Sequence, residues 1–291
     1  MPTINSSVLI SDADNFNNNK PINPYYRLEN IDYAKIRNEH EILRQQLTKA
    51  GINVITVPSP NNCQDGVYTA NWALVRGDTA ILAQLPNTRQ NEIPYAEKIL
   101  KKLGKKVIPI PDGLKYSGQG DALACGDYLF CGSGYRSDSS AQTFAATSLG
   151  YKCIQLQTIP LLDINGNAVI NQITNWPDSL FYDIDLALAV IKAPTDDTKG
   201  LIAYCPEAFT SASRKILTNF DAVDKIEVSF DEAVKGFATN LISTGKTVIM
   251  SAHAPQLAKK LRQHNLNVIT PEITELAKGG GYIRCIALNI F

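Results

Sequence analysis

Apolar runs and turn dipeptides recur along this chain in one order: a strand, a tight turn, a second strand, an amphipathic stretch and a third strand. "YTANWALVRGDTAILAQLP" supplies two apolar runs joined by Gly77-Asp78. "NEIPYAEKILKKLG" follows with apolar residues at helical spacing, and "KKVIPIPD" completes the unit. "GDALACGDYLFCGSG", "SSAQTFAATSLG" and "YKCIQLQTIP" repeat the order, with Gly126-Asp127 at the hairpin. Gly-Asp between apolar runs is a hairpin signal, and apolar residues three and four apart mark a helix face. "FYDIDLALAVIKAP", "GLIAYCP", "EAFTSASRKILTNF" and "VDKIEVS" form a third unit. "FATNLISTGKTVIMSAHAP", "QLAKKLRQHN" and "LNVITPEIT" form a fourth.

A fifth unit is divided between the ends. "GYIRCIALNIF" gives its opening strand, and "SVLISD", the helix "YAKIRNEHEILRQQLTKAG" and "INVITVPS" give the rest. The pattern therefore predicts an α/β fold of five ββαβ units closed into a ring, which protects strand edges. Residues 1–291 are expected to form a single domain.

Aligned on their opening strands, the units place Asn71, Asp121, Asp185, Asn240 and Cys285 at one level. Asp183, two residues before Asp185, is expected on the same strand face. Around a common axis these side chains converge. Capping of each strand at the solvent edge is the competing explanation. Buried carboxylates are costly unless paired, so a central acid cluster with a thiol points to chemistry on a cation. A guanidinium fits: it is planar, matches carboxylates in bidentate fashion and has an electrophilic central carbon. A cysteine attacking it needs a depressed pKa or a nearby base.

Composition narrows the class without changing it. With 44% hydrophobic residues the chain can bury a sizeable core. The 28 basic and 28 acidic residues cancel, which argues against a nucleic-acid groove or an anionic membrane surface. No apolar run reaches membrane-spanning length, and "MPTINSSVLISDADNF" does not read as a signal peptide, so a cytoplasmic protein is expected. None of the six cysteines forms a CxxC pair and no histidine stands beside them, so no metal site is expected.

Six segments, "INPYY", "DGVYTANWALV", "LPNTRQNE", "SGQGDALACGDYLFCGSGYRSD", "FYDIDLALAV" and "GGGYIRC", occur in the order and spacing of one family. The sequence resembles the guanidino-group-modifying superfamily with the pentein fold, a five-bladed β/α propeller. Dimethylarginine dimethylaminohydrolase, arginine deiminase, arginine dihydrolase and the amidinotransferases belong to it. The resemblance implies Cys285 as the nucleophile, and Asp65 and Asn71 as guanidinium contacts. It implies Arg89 and Arg136 as holders of the substrate α-carboxylate and Asn23 as a lining of the pocket mouth. Asp121 and Asp185 join the substrate-binding set through the alignment of the units. Asn at position 71 resembles the arginine dihydrolase pattern, where most deiminases carry Asp.

Two departures stand out. The family's His-Leu-Asp is Asp183-Ile184-Asp185 here, and its carboxylate before the second unit's Gly-Asp is replaced by Ser117 or Gly118. Asp183 is one candidate for the missing histidine's role, if burial and Asp185 raise its pKa. His253, after a strand of the fourth unit, is the other. The implied activity is cysteine-dependent hydrolysis of arginine or a related guanidine or amidine through an S-alkylthiouronium, without cofactor. Amidino transfer to an amine acceptor and a non-catalytic binding protein are the alternatives. The expected partner is a small guanidino compound, and self-association into a homo-oligomer stays open.

Overall fold

The computed structural model describes residues 4–291. They form five separate three-stranded sheets. The first is built from both ends of the chain: β1 (Ser7–Ser11) lies between β2 (Asn53–Val57), parallel to it, and the terminal strand β15 (Leu288–Asn289), antiparallel to it. β3 (Ala73–Arg76), β4 (Thr79–Leu82) and β5 (Lys106–Pro109) make the second. β6 (Ala122–Cys125), β7 (Tyr128–Gly132) and β8 (Lys152–Leu156) make the third. β9 (Leu188–Lys192), β10 (Gly200–Tyr204) and β11 (Val223–Glu227) make the fourth. β12 (Ile242–Ser243), β13 (Thr247–Ile249) and β14 (Asn267–Ile269) make the fifth.

Each sheet repeats one topology: an antiparallel hairpin, then a helical crossover to a parallel third strand. The crossover helices are α1 (Tyr33–Lys49), α2 (Glu92–Lys102), α3 (Ser139–Ser148), α4 (Ser211–Thr218) and, after the short α5 (Phe230–Gly236), α6 (Pro255–Gln263). Their apolar spacing explains their packing. In α1, Ile36, Leu43 and Leu47 are buried, and the Asp32 side chain caps the N-terminus by accepting from the amides of Ala34 and Lys35. In α6 the buried stripe is Leu257, Ala258 and Leu261. The opening strands pack on one another, β3 on β15, β6 on β9 and β9 on β12. The predicted ring of five units, including the one split between the ends, is the observed fold.

Three local expectations are corrected. The polar residues expected to open strands lie just before them, two in single 3-10 turns: Thr69–Trp72 contains Asn71, and Ile184–Leu186 contains Asp185. Asp183 is extended while Asp185 is in the turn, so the two do not share a strand face. The strand read over the last residues shrinks to Leu288–Asn289, and Cys285 sits in the turn that precedes it. Period-two patterning cannot separate a buried strand from a buried turn when every residue is apolar or enclosed. α5 and the 157–180 excursion, held by the bridges Leu162↔Ala168 and Ile170↔Pro177, lie outside the repeat read from the sequence.

Candidate active site

The turns before the opening strands meet at one end of the ring, and Cys285 lies among them, 3% exposed. The amide group of Asn240 shapes its turn. Asn240 Oδ1 accepts from the backbone N–H of Arg284 (2.9 Å) and of Cys285 (3.3 Å), while Asn240 Nδ2 donates to Cys285 Sγ at 3.2 Å. The thiol faces Asp185, Sγ to Oδ2 3.5 Å. The three glycines upstream are required by close approach. A Cβ on Gly280, whose φ is +80°, would lie 2.1 Å from Asn23 Oδ1, and one on Gly281 would lie 2.5 Å from the Tyr68 ring. Only glycine lets the segment carrying the thiol fit between Asn23 and Tyr68.

Four aspartates surround this thiol in the protein interior, and each has a distinct setting. Asp183 Oδ2 accepts from Asn71 Nδ2 (2.8 Å) and lies 4.0 Å from Arg136, while its Oδ1 has no partner among the described residues. Asp185 has an unpartnered Oδ1 as well. Burial, then the Asp183 carboxylate, push Asp185 up to about 8. Asp65 accepts from the Tyr26 hydroxyl and, at 3.1 Å, from Gln64, and burial raises its pKa. Asp121 accepts from the Ile184 backbone N–H at 3.0 Å, and burial with the Asp183 charge holds it well above the carboxylate range. The Cys285 thiol is pushed well above its ordinary value by burial and then by Asp185. In the empty site Cys285 is therefore held as a neutral thiol, and the neighbourhood gains from any cation that enters.

A small cavity of about 10 Å³ opens on Sγ, lined in part by Asn23, Asp65, Asn71, Arg89, Arg136 and Cys285. That is space for about one water, not for an amino acid. What closes it is the 12–32 loop: the Ile22 carbonyl accepts from Arg136 Nη2 at 2.9 Å, and Asn23 Nδ2 donates to the Gly279 carbonyl at 3.2 Å. Arg136 also stacks over Tyr182, 4.0 Å from the ring centroid. The Ile22 oxygen thus occupies a donor that an incoming carboxylate would use.

The residues singled out from the sequence divide into groups. Cys285, Asp183, Asp185, Asn71, Asp65, Arg136 and Asn23 come together around the thiol. Arg89 also lines the cavity, but its guanidinium is committed elsewhere. Its Nε and Nη2 each reach Glu92 at 2.8 Å, Nη1 donates to Asn71 Oδ1, and Nη2 also meets the carbonyls of Asp65 and Tyr68. Asp121, like Asp183 and Asp185, is not on the lining of the small cavity; it holds the Asp183–Asp185 turn through the Ile184 N–H. His253 is corrected. It is exposed just before α6 and lines none of the cavity; the end of β13 that precedes it pairs beside the start of β12, but the chain then turns outward into α6. Asp183 stands where the family's histidine is expected. The missing second-unit carboxylate has a structural reason: Gly118 has φ +57°, and a Cβ there would lie 2.9 Å from the Ala73 backbone. Sequence reasoning missed Glu92 and Asn240, whose partners lie three residues and 45 residues away. Glu92 carried a signal, an arginine one helical turn before a buried acid. Asn240 aligns with the other polar positions, but the sequence alone gives it no role.

A propeller of five ββαβ blades with a cysteine and buried carboxylates where its strands begin defines the guanidino-group-modifying pentein class. A family profile described as eukaryotic N,N-dimethylarginine dimethylhydrolase matches residues 8–167, just over half of the chain. The chain belongs to that family. It is 28% identical over 262 residues to the N(G),N(G)-dimethylarginine dimethylaminohydrolase of Mycobacterium tuberculosis, covering 89% of this chain and 77% of that protein. It is also 28% identical over 249 residues to the bifunctional arginine dihydrolase/ornithine cyclodeaminase AgrE of Nostoc, covering 84% of this chain and 32% of AgrE. The fold matches the product-bound N-terminal domain of ArgZ, a cyanobacterial arginine dihydrolase. The TM-score is 0.84 at 24% identity, over 98% of this chain and 97% of that one.

Proposed function

We propose that the protein is a hydrolase of the guanidino C–N bonds of arginine or an arginine derivative, with Cys285 as nucleophile, and that residues 1–291 act as one catalytic unit in the cytosol. The observation that carries the reading is the Cys285 thiol, 3.5 Å from a buried carboxyl and held by Asn240, among aspartates that outnumber their arginine partners. Six free cysteines support a reducing compartment.

The chemistry follows from the protonation states. A guanidinium entering between Asp65, Asn71 and Asp183 brings the positive charge this cluster lacks, and it lowers the pKa of both Asp185 and Cys285. Ionised Asp185 takes the proton from Sγ as sulfur bonds to the guanidinium carbon. The adduct is tetrahedral. Asp185 then returns that proton to the departing nitrogen, the C–N bond breaks, and an S-alkylthiouronium remains. Asp183, with one oxygen anchored by Asn71 and the other free, accepts a proton from the water that attacks this carbon. Collapse forms the carbonyl and expels the cysteine sulfur, which regains the proton held by Asp183, while the hydroxyl proton passes to ionised Asp185. Arg136 holds the substrate carboxylate once the Ile22 carbonyl moves away.

The test is acid quenching followed by intact-mass measurement, with arginine and with N,N-dimethylarginine in turn. A substrate-dependent adduct that disappears in Cys285→Ala is expected. Turnover that persists in Cys285→Ala, or no adduct with either compound, overturns the reading. A second reading draws on the carboxylate at the position of the family's histidine and on the raised thiol: a protein that binds guanidines without turning them over. Protection of Cys285 from alkylation by arginine, with no adduct and no product, would select it.

A further inference from the structure

The structure holds a second, larger cavity on the other side of the nucleophile's turn. Its volume is about 510 Å³. Cys285 lines the small cavity, and its neighbour Arg284 lines the large one. The walls come from the hairpins of several blades and are apolar, with Leu74, Leu123, Leu188, Val190 and Leu241 among them. Arg284 is 8% exposed at this site. Its Nη1 donates to the Ala287 carbonyl and its Nη2 to Gln119 Oε1 at 2.9 Å. Two neutral acceptors leave three of its five N–H donors unassigned. Among the described residues no carboxylate forms an ion pair with it, whereas Arg89 and Arg136 each have one within 4.0 Å. Burial depresses its pKa, yet a guanidinium stays charged in proteins. The nearby Asp185 is a poor counter-ion because it too is driven toward its neutral form. A second polar atom is left without a partner here: the hydroxyl of Thr239, 1% exposed, on the same lining.

An unpaired buried cation is costly, and here it stands beside an apolar chamber large enough for a small organic molecule. We propose that this chamber is a binding site for a small amphipathic monocarboxylate, its carboxylate paired with Arg284 and its apolar body lying along the leucine and valine walls. One guanidinium matches one negative charge. Of the other charged groups on the lining, Arg76 and Lys105 offset Asp78 and Asp127, and Arg76 is paired with Asp127 at 2.9 Å, so Arg284 is the cation left to be matched. The site makes no contact with the thiol, but Asp185 lies on its lining and is shared with the proposed hydrolysis, so binding is read on the protein without arginine.

Octanoate is a suitable probe, with octanol and octylammonium as matched controls that remove or reverse the charge. Calorimetric titration of the wild-type protein should show octanoate binding at least tenfold more tightly than octanol, with octylammonium not bound. Arg284→Met should abolish that preference. Ala124→Trp, which fills the chamber from its wall without touching Arg284, should abolish binding of both octanoate and octanol. Both effects are read in the absence of arginine. No octanoate binding, equal affinity for octanoate and octanol, or binding that survives Ala124→Trp overturns the proposal. The tryptophan variant and the octanol comparison decide the matter even if Arg284→Met does not fold.

Discussion

Glu92→Gln separates two roles for Arg89. Glu92 is fully buried and binds the Arg89 guanidinium in a two-point pair, both contacts 2.8 Å, while its Oε2 also accepts from Trp72 Nε1 at 3.0 Å. Glutamine has nearly the same shape and can keep the tryptophan bond, but it removes the charge. Arg89, 2% exposed, would then have only Asn71 and two backbone carbonyls as partners, all neutral. Breaking a buried pair by removing one partner costs about 3–5 kcal/mol. At roughly 2 °C per kcal/mol for a chain of this size, the melting temperature should fall by about 6–10 °C. Differential scanning calorimetry at pH 7.5, beside an arginine titration of the rate, reads both quantities. If Arg89 is a pillar bracing Asn71, Tm falls by that amount and KM changes less than kcat, because Asn71 loses its orientation. A Tm drop below about 2 °C, together with a large rise in KM alone, would refute the pillar and return Arg89 to clamping the substrate carboxylate.

Two further substitutions probe the acid cluster. Asp185 has a folded pKa above its unfolded one, so its contribution to stability is fully present below the unfolded value near 4 and is lost as pH rises toward about 8. Asp185→Asn should therefore match wild type most closely near pH 5 and melt higher at pH 8. Each tenfold change in proton affinity between the unfolded and folded chain corresponds to about 1.4 kcal/mol. Turnover should be lost in the same variant, and a Tm difference that is flat with pH contradicts the assignment. Gly120→Ala would place a Cβ 2.4 Å from Asn71 Nδ2 and 2.7 Å from Asp183 Oδ2, driving apart a buried pair now 2.8 Å long. Loss of a charge-assisted bond of this kind costs about 1.5–3 kcal/mol. The rate of adduct hydrolysis should drop at least tenfold in quench measurements, so that adduct accumulates, and an unchanged rate would remove Asp183 from the mechanism.

The repeat was legible because each blade must bury its own apolar face: Gly77-Asp78 and Gly126-Asp127 mark hairpins, and α1 and α6 show their stripes in plain spacing. The thiol at the ring centre was legible for the same reason, since polar residues recurring at one level of an apolar pattern need a shared explanation. Less visible was the partition of the charged groups. Nothing in the spacing of Arg89, Arg136 and Arg284 says that the first is tied to Glu92, the second faces the loop carbonyl of Ile22 and the third is left without an acid. Those assignments depend on side-chain directions in turns, where neither period two nor period 3.6 applies. His253 illustrates the limit: it follows the strand end that pairs beside the start of β12, yet its side chain is exposed just before α6, a direction the spacing does not carry.

Replacing a histidine by Asp183 changes how the centre must be switched on. A histidinium beside the thiol would stabilise a thiolate in the empty site, whereas Asp183 adds a negative charge and, with Asp185, holds the proton on sulfur. The same substitution adds an acid beside the cavity that Asp65 lines, because Asp183 lies 4.0 Å from Arg136 and hydrogen-bonded to Asn71, both on that lining. Binding and activation thus become one event. The cation that fits is the agent that ionises the nucleophile, and a neutral isostere that fits equally well should leave it dormant. This coupling also accounts for the shut cavity: with the Ile22 carbonyl seated on Arg136 and a neutral thiol beneath, the empty centre avoids both an unpaired arginine and a reactive sulfur. On the proposed mechanism a substrate replaces both interactions, with its carboxylate on Arg136 and its guanidinium on the aspartates. The distance between those two groups, rather than either group alone, is therefore what the site should select.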